Sequence, residues 1–532
     1  RGGNDTLISI VNSSANGKAV KVRFREAVNS RDVLDFHLYM SPFDVWTAAV
    51  TATEAGGAKM VTADTSCTVP YFFGDDGEQE FLDFDYATKA DAANGVSSTI
   101  DGGPSGIERT ASGYVEVIEM GSLNDTPLKS IVLDKTNDVY NGKVIAGQEG
   151  NYVAYAVKHT KGVPNDCDAI QSAWTKNAPA TARLGDFFLD ATADEDGINA
   201  PTGGLYGSAS IINVANGTMF SYNATAIDNF FTSDNHEEPG LPTPNLKSGD
   251  VTYSYVFASD VLSPDSSRDE AIKDTWVKED ANSDDRPAGE SALLALNAAI
   301  TAEKMMNEFT SDASAGAHTE WVVTFPTKKF HADTARESGM PLAPFTQAWS
   351  YTSKKTTPAC EDITYTYYDR EEASSTTAPE TVAPVVSPKD PSVEDPNLFT
   401  LCREANVVRF ASDGTYPDAS EIFAEPKREG TRLGYNNFEL SGDFSDGWME
   451  FDFATVPEDS DASGPRQSVV ADPSGEDNSG NGGADNVAYV YRGLPVIGFA
   501  ATTYTNGNIG DGVLANYGGT FEHRTQRSIV SS

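Results

Sequence analysis

The chain has little positive charge, few histidines, four cysteines and no long apolar run. Its 79 acidic residues face only 38 Lys and Arg, a formal net charge of −41. Such a surface repels a phosphate backbone, which argues against nucleic acid as a partner. It repels anionic lipid too, unless divalent cations bridge the two. No run of roughly eighteen apolar residues occurs, so no helix spans a membrane. None of the cysteines forms a C-x-x-C pair, which argues against zinc and thioredoxin chemistry. H-E-x-x-H, G-x-S-x-G, the Walker loop and G-x-G-x-x-G are all absent. The six histidines are scattered. His37 falls on the polar side of a strand pattern, and His236 lies in an acidic loop, Asp234 to Glu238. No catalytic group stands out, and with so many acids no carboxylate pair can be singled out for glycoside hydrolysis.

What the chain does contain is strand pattern. Val20, Val22 and Phe24 alternate with Lys21, Arg23 and Arg25, the period of a half-buried strand. After the turn Asn29 to Asp32, Leu34, Phe36, Leu38 and Met40 alternate with Asp35, His37 and Tyr39. Val45 to Thr53, with Trp46, starts a third strand. Asn16-Gly17 reads as a hairpin turn from the strand Thr6 to Asn12. Further strands are expected at 113–120, 152–159, 205–213, 218–222, 321–325, 363–368, 407–411, 448–453 and in three runs over 487–517. One prominent helix is expected at about 291–309, capped by Ser291. Strands with a single apolar face need a covering sheet, so the expected fold is mostly β, built from β-sandwich domains, Ig-like or jelly-roll-like, with long loops.

The length predicts two or three domains. Residues 1–160 supply N-terminal sandwich strands, completed by 400–532. Residues 161–370 form a second, mixed but mostly β region with the buried helix. Residues 371–397 are an acidic excursion rich in Pro, Ser and Thr, a composition that favours extended chain. Cys360 and Cys402 flank it, and a disulfide there would tie it off. Of the three connectivities, Cys67–Cys167 with Cys360–Cys402 is favoured, in keeping with export.

Calcium is the one ligand with local support. Asp190, Asp194 and Asp196 crowd a short loop ended by Gly197, without the full EF-hand spacing. Asp75, Asp76 and Glu78, and Asp443 with Asp446, repeat the idea more weakly.

Several segments, taken together, resemble a known group. They are GNDTLISIVN with GKAVKVRFREAVNSRDVLDFHLYMSPFDVWTA, GYVEVIEMG, HTEWVVTFPTKKF, CEDITYTYYDREE, and GLPVIGFAATTYTN with GVLANYGGTFEHR. The set is similar to uncharacterised exported proteins of Gram-negative bacteria, some of them read as surface-layer or extracellular-filament components. The resemblance implies export and a cell-surface or extracellular setting. It brings no catalytic residue and no cofactor.

By elimination and architecture, the expected function is that of a non-enzymatic structural protein whose partner is itself, with Ca²⁺ bridging acidic surfaces. The second expectation is an adhesin or carbohydrate binder, its partner a cell-envelope glycan, using Trp174, Trp349, Tyr365 and Tyr367 if they are exposed; the strand face shared by the two tyrosines is expected to turn to the core. The third is a secreted hydrolase with a carboxylate pair.

Overall fold

The computed structural model describes residues 1–70, 77–84, 86, 89–91, 96–98, 103–123, 133–134, 139–140, 152–172, 202–227, 296–332, 343–352, 355–374, 398–428, 434–441, 444–456, 466–471, 488–510 and 513–531. Among the described residues, five sheets have three or more strands. Sheet I runs, edge to edge, Thr218–Asn223, Leu205–Asn213, Asn4–Asn12, Val45–Ala52, Ala58–Val61 and Glu78–Glu80. Sheet II runs Gly113–Leu123, Gly17–Glu26, Asp32–Met40 and Cys67–Val69. Sheet III is Leu398–Leu401, Glu361–Asp369, Asp446–Asp452, Lys304–Thr310 and Arg524–Gln526. Sheet IV is Asn436–Glu439, Ala405–Ala411, Ala317–Thr324, Ile497–Gly510 and Val513–Glu522. Sheet V is Gln467–Ala471, Ala488–Arg492 and Ser528–Ser531.

The chain is mostly β, as its alternating patterns require, but the expected β-sandwich, Ig-like or jelly-roll-like, is corrected. The small, largely antiparallel sheets are arranged as a five-bladed β-propeller. The physical reason lies in which faces are covered. A two-layer sandwich buries one face of each sheet. In sheet IV, Trp321, Val323 and Ala500 enter a core shared with sheet III, while Val322, Phe499 and Ala501 pack the opposite way, against Phe220 and Tyr222 of sheet I. Sheet II is likewise covered twice. Val20, Val22, Phe24, Phe36 and Leu38 meet Ile8, Ile10, Trp46 and Met60 of sheet I. Ala19, Tyr39 and Met120 lie among Ala156, Val157 and Ile170.

The N-terminal strands therefore do not form one sheet. Asn4–Asn12 and Val45–Ala52 pair in sheet I, whereas Gly17–Glu26 and Asp32–Met40 pair in sheet II. Asn16-Gly17 is correspondingly no hairpin turn but a passage between sheets. Asn12 fixes it by donating from Nδ2 to the carbonyls of Asn16 and Ser41, both at 2.8 Å. The hydrogen-bonding partner that completes the N-terminal sheet is Leu205–Asn213, in register from Asn4 opposite Asn213 to Asn12 opposite Leu205. The expected strands at 205–213 and 218–222 form a hairpin about Asn216-Gly217, with Gly217 at φ 63°.

Two helix assignments are also corrected. Of the helix expected at 291–309, only 296–300 is helical among the described residues, and Lys304–Thr310 is a strand. Met and Glu favour helices, yet Met305 and Phe309 point together into the core while Asp446–Asp452 and Arg524–Gln526 supply backbone partners on both sides. Conversely Tyr152–Val157 is helical, not a strand, and packs with the helix Cys167–Ser172. Six residues are too few for periodicity to decide. Both favoured disulfides are present: Cys67–Cys167 ties the second helix to sheet II, and Cys360–Cys402 joins the strands flanking the excursion.

Candidate interaction surface

Strand alternation gives sheet I an outer face. Asp5, Leu7, Ser9 and Val11 share it with Val45, Thr47, Ala49 and Thr51, with Tyr206, Ser208, Ser210 and Ile212, and with Met219, Ser221 and Asn223. Asp5 is the one charged residue on these four strands; on the last two strands of the sheet the same face carries Lys59, Glu78 and Glu80. Leu7 is 45% exposed, Tyr206 59% and Met219 54%, so this face is open to solvent. Leu7, Ser9, Thr47, Ala49, Ser208 and Ser210 line an open depression of about 430 Å³. Short side chains flank the central strand here: Ser9 lies between Thr47 and Ser208, and Leu7 between Ala49 and Ser210.

The C-terminal hairpin of sheet IV continues this uncharged region. Ile497–Gly510 and Val513–Glu522 pair with Tyr504 opposite Tyr517. The outer strand lies along the edge of sheet I formed by Thr218–Asn223. Asn516 Nδ2 donates to the Asn216 carbonyl at 2.6 Å, and the Thr520 hydroxyl donates to the Ser221 carbonyl. Tyr222 stacks on Phe499 with ring centres 4.2 Å apart. Glycine permits this approach, since a Cβ at Gly518 would lie 2.6 Å from the Phe220 ring. These contacts occupy one side of the strand. On the other, Val513, Tyr517 and Phe521 are more than half exposed.

The charges the sequence places on strands are handled by burial. Lys21, Arg23 and Arg25, expected at a solvated strand face, are within 1% of full burial, and the whole of Gly17–Glu26 is buried. Each cation finds acids across the sheet. Arg25 donates from Nε to Glu116 at 2.7 Å and lies 3.1 Å from Asp32. Lys18 meets Glu119 at 2.6 Å, and Lys21 Nζ lies 3.4 Å from Asp35. Burial lowers the Lys21 ammonium to about 8, Asp35 opposing it. His37 is buried rather than solvated, and burial, with Lys21 and Arg23 nearby, holds its imidazole neutral. Burial also raises carboxyls, among them Glu320 and Glu404. Glu320, pushed up to about 7, accepts from the backbone N–H of Ile422 at 2.9 Å and of Phe423 at 3.0 Å. Glu404 is pushed up to about 8 against the pull of Lys328. Both are fully buried.

Of the expected calcium ligands, Asp75, Asp76, Asp190, Asp194, Asp196 and Asp443 lie outside the described residues, as does His236. Glu78 pairs with Lys59 at 2.5 Å. Asp446 accepts from Thr310 at 2.5 Å and lies 3.2 Å from the Arg370 guanidinium. Among the described residues no three His, Cys, Asp or Glu side chains converge on a metal position. Trp349 is buried, so it forms no aromatic platform; Tyr367 is buried and Tyr365 packs against the core of sheets III and IV, as expected of their shared strand face, while Trp174 is outside the described residues. The apolar faces of those strands carried the signal, and the core took them.

A different signal marks the surface found here. Residues 197–227 contain no Asp, Glu, Lys or Arg, and residues 493–521 contain Asp511 alone. A charge scan along the sequence isolates both stretches, and the fold sets them side by side. No family model, no curated protein and no solved structure matches the chain.

Proposed function

We propose that this chain is a non-enzymatic, exported structural protein that assembles with copies of itself, as a cell-surface layer or extracellular filament, through its uncharged surface. The carrying observation is the open outer face of the four strands of sheet I from Val45–Ala52 to Thr218–Asn223, which carries Asp5 alone and is continued by the C-terminal hairpin, in a chain of net charge −41. Two like-charged copies approach at least cost where no carboxylates face each other. Two unit charges at 4 Å cost about 1 kcal/mol in water and about 4 at an effective dielectric near 20. Contiguous exposed apolar groups rimmed by polar ones are the usual mark of a contact site. The two disulfides and the resemblance to exported proteins support the setting. Among the described residues no helix is long and apolar enough to cross a membrane.

Light scattering and sedimentation over a concentration series test this. The wild type is expected to associate, and the double variant Leu7→Glu with Tyr206→Glu to associate less at the same concentration. A wild-type chain that stays monomeric at the highest concentration in physiological salt overturns the proposal. A second reading rests on the hydroxyl row of Ser9, Thr47, Ser208 and Ser210 around the depression. Neutral hydroxyls suit a glycan, and binding of cell-envelope glycan abolished by the same variant would favour that reading.

A further inference from the structure

The outer strand of the C-terminal hairpin, Val513–Glu522, is the last in sheet IV, and among the described residues nothing pairs with its second edge. Natural proteins blunt such an edge with Lys, Pro, a bulge or a very short strand. This one runs ten residues, has no Pro, and carries no charge before Glu522, and the bulges of the hairpin lie on its inner strand, between Thr505 and Gly510. The neighbouring edge of sheet I is treated differently, since side chains of Asn516 and Thr520 bond its carbonyls at Asn216 and Ser221. One of two adjacent sheet edges is thus capped and the other is left available.

Resting on the self-assembly proposed above, we infer that Val513–Glu522 pairs antiparallel with the same strand of a second copy, across a two-fold axis at Tyr517, joining two sheets IV into one. The occupant follows from charge. Most of this chain attracts basic partners, whereas an uncharged edge gives a like-charged copy a place to dock without meeting carboxylates. The register follows from alternation. In an antiparallel pair, opposed residues lie on the same face, so a two-fold axis perpendicular to the sheet passes through a residue position. Centring on Tyr517 sets Val513 opposite Phe521 of the second copy and Ala515 opposite Gly519. The exposed side chains Val513, Tyr517 and Phe521 then form one continuous row with their mates. The other face, with Leu514, Asn516, Gly518 and Thr520, stays against sheet I as it is now. A closed two-fold contact of this kind uses the same patch twice and leaves the outer face of sheet I free for a second contact.

Both described disulfides use all four cysteines, so an introduced thiol is the only free one. In the full chain, Tyr517→Cys is expected to give a disulfide-linked dimer on mild oxidation, because opposed Cα atoms in an antiparallel pair lie about 4.5–5.5 Å apart. Thr505→Cys, on the inner strand, is the control and is expected to stay monomeric on a reducing-agent-free gel. Tyr517→Glu is expected to weaken dimerisation by about ten-fold or more, with circular dichroism unchanged. A wild type that associates while Tyr517→Glu associates equally well, or a Tyr517→Cys that cross-links no faster than Thr505→Cys, overturns the edge pairing and leaves assembly through sheet I standing. A wild type that does not associate at all overturns both.

Discussion

The guanidinium of Arg109 grips the carboxylate of Glu26 twice, with Nε 2.8 Å from Oε2 and Nη2 2.9 Å from Oε1, and solvent reaches neither side chain. The same carboxylate accepts from the backbone N–H of Val28 at 2.6 Å and from those of Asn29 and Arg31 at 2.9 Å. It shapes the turn between the two central strands of sheet II. Removing one member of a buried pair leaves the other charge unmatched, at a cost of about 3–5 kcal/mol. Glu26→Ala is therefore expected to lower stability by that amount in urea unfolding. A loss below about 1 kcal/mol would show that water reaches the site.

The disulfide Cys360–Cys402 spans 42 positions and encloses the Pro-rich excursion. In the chain-entropy account, a loop of this length confers about 3–4 kcal/mol by restricting the unfolded chain. Cys360→Ser with Cys402→Ser is expected to cost that much, while peptide mapping of the unreduced wild type recovers 360 linked to 402.

Stability should carry a pH signature of Glu404. Its carboxyl is raised to about 8 in the fold, above its ordinary value of 4.5, chiefly by burial. A raised acid gives its full stability below the unfolded value and loses it as pH climbs through the folded one. The wild type should thus lose this contribution between pH 4.5 and about 8. His523, lowered to about 4 by burial, acts in the opposite direction between there and its ordinary 6.5. Comparison with Glu404→Gln isolates the carboxyl: the variant should gain on the wild type steadily from pH 5 to 8. A constant difference across that range would refute the assignment.

Association should strengthen with salt and ignore chelator. Screening at a Debye length of about 8 Å in physiological salt weakens the long-range repulsion between copies. The uncharged contact itself has little to screen. Sodium chloride is expected to raise the association constant, and EDTA to leave it unchanged at fixed ionic strength. Release of monomers by EDTA would instead place divalent cations at the contact.

Much of this was legible in the sequence, at the level of single elements. Val20, Val22, Phe24, Phe36 and Leu38 announced their strands, and the extended composition of 371–397 gave Cys360 and Cys402 a reason to pair. The partnership of strands was not legible. Nothing in Asn4–Asn12 says that its mate begins at Leu205, because β pairing is settled by packing at long range. Burial of Lys21, Arg23 and Arg25 was hidden for a related reason: a cation beside a matching acid on the next strand looks, in one dimension, like any solvated face. The uncharged stretches were in plain view. A search for residues that do chemistry passes over a surface distinguished by the charges it omits.

The long gap between Asn12 and Leu205 has a consequence in time. Chains emerge from synthesis amino end first, at roughly 5–20 residues per second, so the first strand waits roughly 10–40 s for its neighbour. Through that interval one side of Asn4–Asn12 has Val45–Ala52 and the other has nothing. The newborn protein passes through a stage in which an apolar strand, Leu7 to Val11, offers unsatisfied backbone to any passing chain. Shielding that half-made edge until residue 213 arrives is a demand this strand order makes.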